Sequence, residues 1–318
     1  MDFFDYVAEK KVLTTYISGG EPFVRNDIFD ILDHISKKPM FVDGINTNAT
    51  LIGRSEAQRL GNYKKIKLFS VSLDGSTPQI HDRVRGKGNF DRTIEGISNL
   101  IRYKNRVCTS TTVTKLNMND IDNMLEIGKK LNIMTMKFSP VMILGNAVGN
   151  REEVGLSKRD ITEILSKVPY WKKKYEGYFT GIFLDMFEME QRGREDIATV
   201  KKDAPVRTFT GCKMLINKCV IRGDGWVIPC DRLWDMKAGN IRERDFLDIW
   251  NNSELFQQIR RKYDVPISIR PECKDCEYNR VCTGGCPAVK YELAGDIWGF
   301  DETSCYKFIS ECVNGKVK

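Results

Sequence analysis

The chain has 318 residues, 29% charged and 41% apolar, with a formal net charge of +7 spread along its length. That composition suits a globular protein of one large or two modest domains, and no basic–aromatic interleaving argues for nucleic acid. No signal-peptide pattern opens the chain and no stretch approaches the ~18 apolar residues that span a bilayer, so a cytoplasmic protein without membrane contact is expected.

Residues 12–18 are β-branched and aromatic, and predict a buried strand that runs into Gly19-Gly20-Glu21-Pro22. Asp27 is placed to cap a helix over 28–37, where Ile28, Ile31, Leu32 and Ile35 recur at helical spacing. A strand near 40–45 leads to Asn46-Thr47-Asn48, then to a short helix over 55–62 and a strand over 66–72. Leu73-Asp74-Gly75 opens a loop through Arg85-Gly86. A helix over 90–103, a strand over 107–113, a helix capped by Asn119 and a strand over 134–138 follow. Five strands alternating with helices predict βαβ units and a parallel α/β sheet, either a partial barrel or doubly wound. Ligands of such sheets sit at the carboxyl ends of the strands, where each polar or Gly-rich motif named above falls.

Residues 151–210 read as a helical connection, with a helix near 157–175 and a poorly patterned stretch near 190–208. Within that helix Trp171-Lys172-Lys173-Lys174 reads as a solvated face. Beyond Gly211 a hairpin is predicted, with strands over 215–221 and 226–228 and a turn at Gly223-Asp224-Gly225, followed by a helix near 244–261. The domain reading is therefore 1–150 for the sheet core, 151–210 for the connection and 211–318 for a cysteine-rich domain.

Only two histidines exist, His34 and His81, which disfavours His-rich zinc catalysis and a Ser-His-Asp triad. Cysteines are the stronger signal. Cys273, Cys276, Cys282 and Cys286 form C-x2-C-x5-C-x3-C, Cys212 and Cys230 precede them, and Cys305 follows. In a reducing compartment such spacing points to metal rather than to disulfides. Seven or eight thiolates make two four-ligand sites, and zinc, iron–sulfur clusters or a mixture all satisfy the ligand type. Cys219 is a candidate eighth ligand or a buried hairpin cysteine, whereas Cys108 and Cys312 read as structural.

Together these motifs resemble the radical S-adenosylmethionine (SAM) enzymes. Ile17-Ser-Gly-Gly-Glu-Pro-Phe23 is similar to the motif that holds the amino group of SAM, which assigns Gly19, Gly20, Glu21 and Pro22 to the cofactor. Ser70-Val-Ser-Leu-Asp-Gly75 with His81-Asp-Arg-Val-Arg-Gly86 resembles the next part of the family, in which the residues matching Ser72 and Arg85 contact SAM. Leu144-Gly-Asn-Ala147 resembles the loop near the adenine. The run from Cys212 to Cys305 resembles the SPASM domain, the auxiliary-cluster module of peptide- and protein-modifying members.

The resemblance implies an incomplete (β/α)6 barrel, from about its second strand onward, with a C-terminal α+β SPASM domain. It implies two auxiliary [4Fe–4S] clusters, one held by Cys212, Cys230, Cys286 and Cys219, the other by Cys273, Cys276, Cys282 and Cys305. Asp231 matches the aspartate that deprotonates substrate in sulfatase-maturing members. The implied activity is cleavage of SAM to a 5′-deoxyadenosyl radical, which takes hydrogen from a peptide or protein side chain while an auxiliary cluster accepts the leftover electron or ligates the substrate. A flavodoxin or ferredoxin is the implied electron donor. One feature departs from the family: its C-x3-C-x2-C loop belongs upstream of the G-G-E-P strand, and the residues before Gly19 hold no cysteine. The expectation is an N-terminally truncated copy whose missing segment would hold a third [4Fe–4S] cluster, with a degenerate relative or half of a split system as alternatives. A non-catalytic iron–sulfur peptide-binding or electron-transfer module and a zinc-stapled scaffold are the competing readings of function.

Overall fold

Alternation of apolar and polar side chains along the strands decides which face of the first unit is covered. The computed structural model describes residues 2–184, 198–201, 203–302 and 305–313. They fall into two units, Met1–Val141 with Ser166–Asp185, and Met142–Leu165 with Met186–Lys318. In the first unit β1 (Thr14–Ile17), β2 (Phe41–Thr47), β3 (Phe69–Ser72), β4 (Val107–Val113), β5 (Thr135–Pro140) and β6 (Gly181–Leu184) form one parallel sheet in sequence order. Phe69 and Val71, Val107, Thr109, Thr111 and Val113, and Met136 and Phe138 are buried. The residues between them, Ser70, Ser72, Cys108, Ser110, Thr112 and Lys137, stay partly or fully exposed. Register aligns Ser70 with Cys108 and Ser72 with Ser110, so one face is a polar floor and the other an apolar wall.

Parallel strands need crossovers, and helices supply them. α1 (Asp2–Glu9) precedes the first strand, and the crossovers carry α2 (Ile28–Ser36), α3 (Arg54–Leu60), α4 (Pro78–Arg85), α5 (Asn89–Arg102), α6 (Ile121–Lys130) and α7 (Lys158–Lys174). Leu32 and Ile35 of α2, Leu60 of α3, Ile97 and Leu100 of α5, and Met124 and Leu125 of α6 are fully buried, each contributing about 1.5–3 kcal/mol of burial. Trp171 of α7 is buried too, its Nε1 donating to Asp122 Oδ1 at 2.8 Å, so the solvated stretch of that helix begins at Lys172. The strand expected to be buried over 12–18 is β1, which is one border of the sheet and has no buried residue, with Tyr16 51% exposed and Leu13, just before it, 71%.

Three local expectations change. The loop expected through Arg85 is the helix α4, because Pro78 presets its first turn and Gly86, at φ +93°, ends it. Asp27 flanks α2 without capping it and pairs with Arg25 at 2.7 Å instead. Asn119 lies in the 3-10 turn Met118–Asp120 ahead of α6. A sixth strand, β6, adds to the five that the pattern shows. Of the stretch near 190–208, residues 190–197 and 202 lie outside the described residues.

The second unit carries a small antiparallel sheet of β7 (Val220–Ile221), β8 (Trp226–Ile228) and β9 (Gly239–Asn240). The helix expected near 244–261 is two, α8 (Phe246–Asn252) and α9 (Glu254–Arg260), because Ser253 is extended at φ −63°, ψ 125°. Met214, Leu215, Val227, Leu233, Ile249, Phe256, Ile259 and Ala288 form its core. α10 (Pro287–Ala294) and α11 (Tyr306–Val313) complete it. Among the described residues no helix is long and apolar enough to cross a membrane.

Candidate functional site

The carboxyl ends of β1 and β2 are tied together by one carboxylate. Glu21 Oε1 accepts from Thr47 Oγ1 at 2.8 Å and Phe23 N at 3.2 Å, while Oε2 accepts from Asn48 N at 2.7 Å. Thr47 and Asn48 close β2, and Pro22 begins the short 3-10 turn Pro22–Val24. This leaves the main chain of Gly19 and Gly20 exposed, with no heavy atom within 4 Å of where a Cβ would stand on either. Bare peptide groups facing open space are what a ligand amine or carboxylate needs for close approach.

Beyond β3 a second polar knot forms around Asp74, which is fully buried. Its Oδ2 accepts from Arg85 Nε at 2.5 Å and its Oδ1 from Thr112 N at 2.8 Å. Asp74 N donates to His81 Nδ1 at 3.2 Å, and Asn117 Nδ2 donates to Asp74 O at 3.0 Å. Burial holds the His81 imidazole below its usual pKa, against the pull of Asp74. Next to this knot, Asp120 accepts from Ser76 N and Oγ, each at 2.6 Å. Ser72, at the end of β3, is half-buried beside these groups in sequence. Arg85 is thus anchored through Nε, with its side chain 35% exposed.

The second unit gathers the cysteines into two groups. Cys273, Cys276, Cys282 and Cys305 line one cavity of about 270 Å³, with Tyr278, Asn279 and Tyr306 among its other walls. Burial raises the thiols of Cys273, Cys282 and Cys305, Cys282 to about 11, and their neighbours in the same group raise them further. Gly284 N donates to Cys282 Sγ at 3.3 Å. Cys212, Cys219, Cys230 and Cys286 pack against the Met214–Ala288 core instead. Burial lifts Cys219 and Cys230 to about 12. Cys212, Cys286 and Cys230 all act on the buried Lys262, whose Nζ donates to Cys212 O at 2.8 Å, whereas Cys219 faces Arg260. Asp231 is exposed and accepts from Cys230 Sγ at 3.1 Å. Leu144-Gly-Asn-Ala147 leads into the one-turn helix Asn146–Gly149 and is partly to fully exposed. Cys312 is buried under α7 with its thiol toward Lys158 O, and Cys108 lies on the sheet's polar floor.

Residues 2–127 match the model of the radical SAM superfamily, and residues 212–277 match SPASM, an iron–sulfur cluster-binding domain. The chain is 30% identical over 305 residues to the AdoMet-dependent heme synthase of Methanosarcina barkeri, a match covering 92% of this chain and 82% of that protein. The chain belongs to the radical SAM superfamily. It shares 28% identity over 291 residues with the cysteine-type anaerobic sulfatase-maturating enzyme of Clostridium novyi, covering 86% of this chain and 72% of that one. Among solved structures, SuiB of Streptococcus suis superposes with a TM-score of 0.74 at 19% identity, covering 96% of this chain and 70% of SuiB, which shows the common fold.

As a radical SAM/SPASM protein the chain is an enzyme of a family that uses SAM and iron–sulfur clusters, and its residues suit both groups. The exposed Gly19-Gly20 main chain beyond β1 and the Arg85 anchored beyond β3 offer polar contacts on the carboxyl-end side of the same sheet. Among the described residues no three Cys, His, Asp or Glu side chains converge as a single ion requires. Four thiols spread around one cavity suit a polynuclear cluster better than a lone zinc. Sequence reasoning placed Thr47 and Asp74 in strand-end motifs without giving either a role, and missed Lys262, Arg270 and Lys290. Asp74 had a signal, an acid directly beyond a strand end. The buried cations had none, since a lysine on a helix reads as surface.

Proposed function

We propose that this chain is a radical SAM/SPASM enzyme that modifies a peptide or protein side chain and holds two auxiliary [4Fe–4S] clusters. In this reading Cys212, Cys219, Cys230 and Cys286 ligate one, and Cys273, Cys276, Cys282 and Cys305 the other. The observation that carries it is the sorting of the thiols: Cys305 joins Cys273, Cys276 and Cys282 around one cavity, while Cys286, close to Cys282 in sequence, joins the other group. Bound SAM and a third, reduced [4Fe–4S] cluster, distinct from the two auxiliary ones and supplied by a C-x3-C-x2-C segment outside this sequence, would together supply a hydrogen-abstracting radical. The chain's own part is placement. Glu21 holds the strand-end loop so that Gly19 and Gly20 present their peptide groups to SAM, with Pro22 fixing the exit of that loop. Asp74 fixes Arg85, which reaches SAM alongside Ser72. Asp231, exposed beside Cys230, takes the substrate's proton at its carboxylate. The proposed division is 1–150 for SAM binding, 151–210 for the connection and 211–318 for the clusters, served in the cytoplasm by a flavodoxin- or ferredoxin-type donor.

Anaerobic reconstitution tests the cluster assignment. About eight irons and eight sulfides per chain are expected, falling by about four of each in Cys273→Ala and in Cys212→Ala. Zinc uptake with little iron would overturn it. A second reading, with an iron porphyrin as substrate, is favoured by the heme synthase relative. A shifted Soret band on titrating an iron porphyrin, with no binding of cysteine-containing peptides, would select that reading. Binding of cysteine-containing peptides with an unshifted Soret band would select the first.

A further inference from the structure

Lys290 of α10 is fully buried, and among the described residues its Nζ has no hydrogen-bond partner. The ammonium stands 4.6 Å from the centroid of the Phe209 ring, and the Arg270 guanidinium stands 4.5 Å from the same centroid. Arg270 is 8% exposed, its Nε is also unpartnered, and its Nη2 donates to Gly284 O at 3.4 Å. Two cations buried on one ring repel each other, and each is desolvated. A π face offsets only part of that cost. The carboxylate that acts on Lys290 is the buried Asp301, and the other acidic groups acting on it are the thiols of Cys282 and Cys286.

Those two thiols belong to different groups. Cys282 lines the cavity shared with Cys305, whereas Cys286 packs with Cys212 and Cys230. Thr283-Gly284-Gly285 joins them, with Gly284 at φ +88° and Gly285 at φ +75°. A Cβ on Gly284 would fall 2.5 Å from the Phe209 ring. The ring that carries both cations therefore also shapes the peptide linking the two cysteine groups. Lys262 differs, because its Nζ is bonded to Cys212 O and it faces one group alone.

We propose that Lys290, backed by Arg270, is the shared counter-cation of the two iron–sulfur sites and sets the reduction potential of both; this rests on the cluster assignment above. Four thiolates make a [4Fe–4S] centre anionic, and one-electron reduction by an external donor adds a further negative charge without a proton. A fixed cation in a dry interior favours that reduced state. The experiment uses the full chain, reconstituted anaerobically, assayed for iron and sulfide, and titrated with dithionite while reduced clusters are followed by electron paramagnetic resonance. At the parent's midpoint potential, Lys290→Met should lower the reduced-to-oxidised ratio at least about tenfold at both clusters, a shift of about 59 mV for a one-electron couple. Lys290→Arg should stay within about threefold of the parent. A fully loaded Lys290→Met with unchanged ratios, or with one cluster shifted and the other not, overturns the proposal. If Lys290→Met takes up no iron, Lys290→Arg decides: parental ratios uphold the role, and a tenfold change overturns it. A parent chain that takes up no iron sinks the cluster assignment and this role with it.

Discussion

Asp74 shows how one buried carboxylate sets the geometry of a surface cation. It is fully buried, takes the Arg85 guanidinium at 2.5 Å and also satisfies the Thr112 amide of β4. Removing it leaves a cation and a buried N–H unpaired, so Asp74→Ala should cost about 3 kcal/mol, the lower end for buried pairs because Arg85 is partly exposed. Asp74→Asn keeps an acceptor for Thr112 and should cost less, about 1–2 kcal/mol. Urea midpoints order the two, and an equal loss for both would refute the assigned role. His81 adds a pH dependence. It is buried with a lowered pKa, so the folded state resists protonation, and its contribution is complete above about pH 6.5 and lost as pH falls toward the folded value. The urea midpoint should drop between about pH 7 and pH 5.5, and His81→Asn, which can still accept from Asp74 N, should flatten that part of the curve. An unaltered slope would rule His81 out as its source.

At the level of elements, α5 is pinned to the segment that follows β2. Thr93 Oγ1 donates to Asn48 O at 2.9 Å and Asn99 Nδ2 donates to Ile52 O at 3.2 Å. Gly96 lies between them, and a Cβ there would stand 2.1 Å from Ala49 O. Gly96→Ala must push helix and segment apart, costing about 1–3 kcal/mol. Because Asn48 N also holds Glu21, the same substitution should weaken SAM binding several-fold, measurable by calorimetry. Parental affinity in a folded Gly96→Ala would break that link. Most of this framework is legible in the residues. The run Val107–Val113 alternates buried and open positions, because period-two burial leaves a mark in sequence, whereas the β-branched stretch before Gly19 is a strand as expected but buries none of its residues. α4 escapes, since Pro78-Gln-Ile-His-Asp-Arg-Val-Arg85 is mostly polar and buries His81 rather than an apolar stripe. The cysteine spacing announces two ligand sets, yet nothing in it announces that Lys290 and Arg270 are interior. That depends on how Phe209 folds over Gly284, a tertiary contact between residues far apart in sequence.

Across the whole molecule the two units place their chemistry differently. The first offers main-chain groups at strand ends, exposed by a carboxylate that ties the loops beneath them. The second offers thiols held in a small-sheet and short-helix frame whose core is shared by one cysteine group. The border strand β1 has a consequence of its own. Among the described residues no strand pairs with its outer rim, and Leu13 just before the strand is exposed, which is a template onto which another polypeptide can zip. Purified chain should therefore stick to itself as it is concentrated, seen as a rising scattering mass in light scattering. A Leu13→Lys gatekeeper should keep it dispersed, and a mass that rises just as fast with the lysine would mean that the stickiness lies elsewhere.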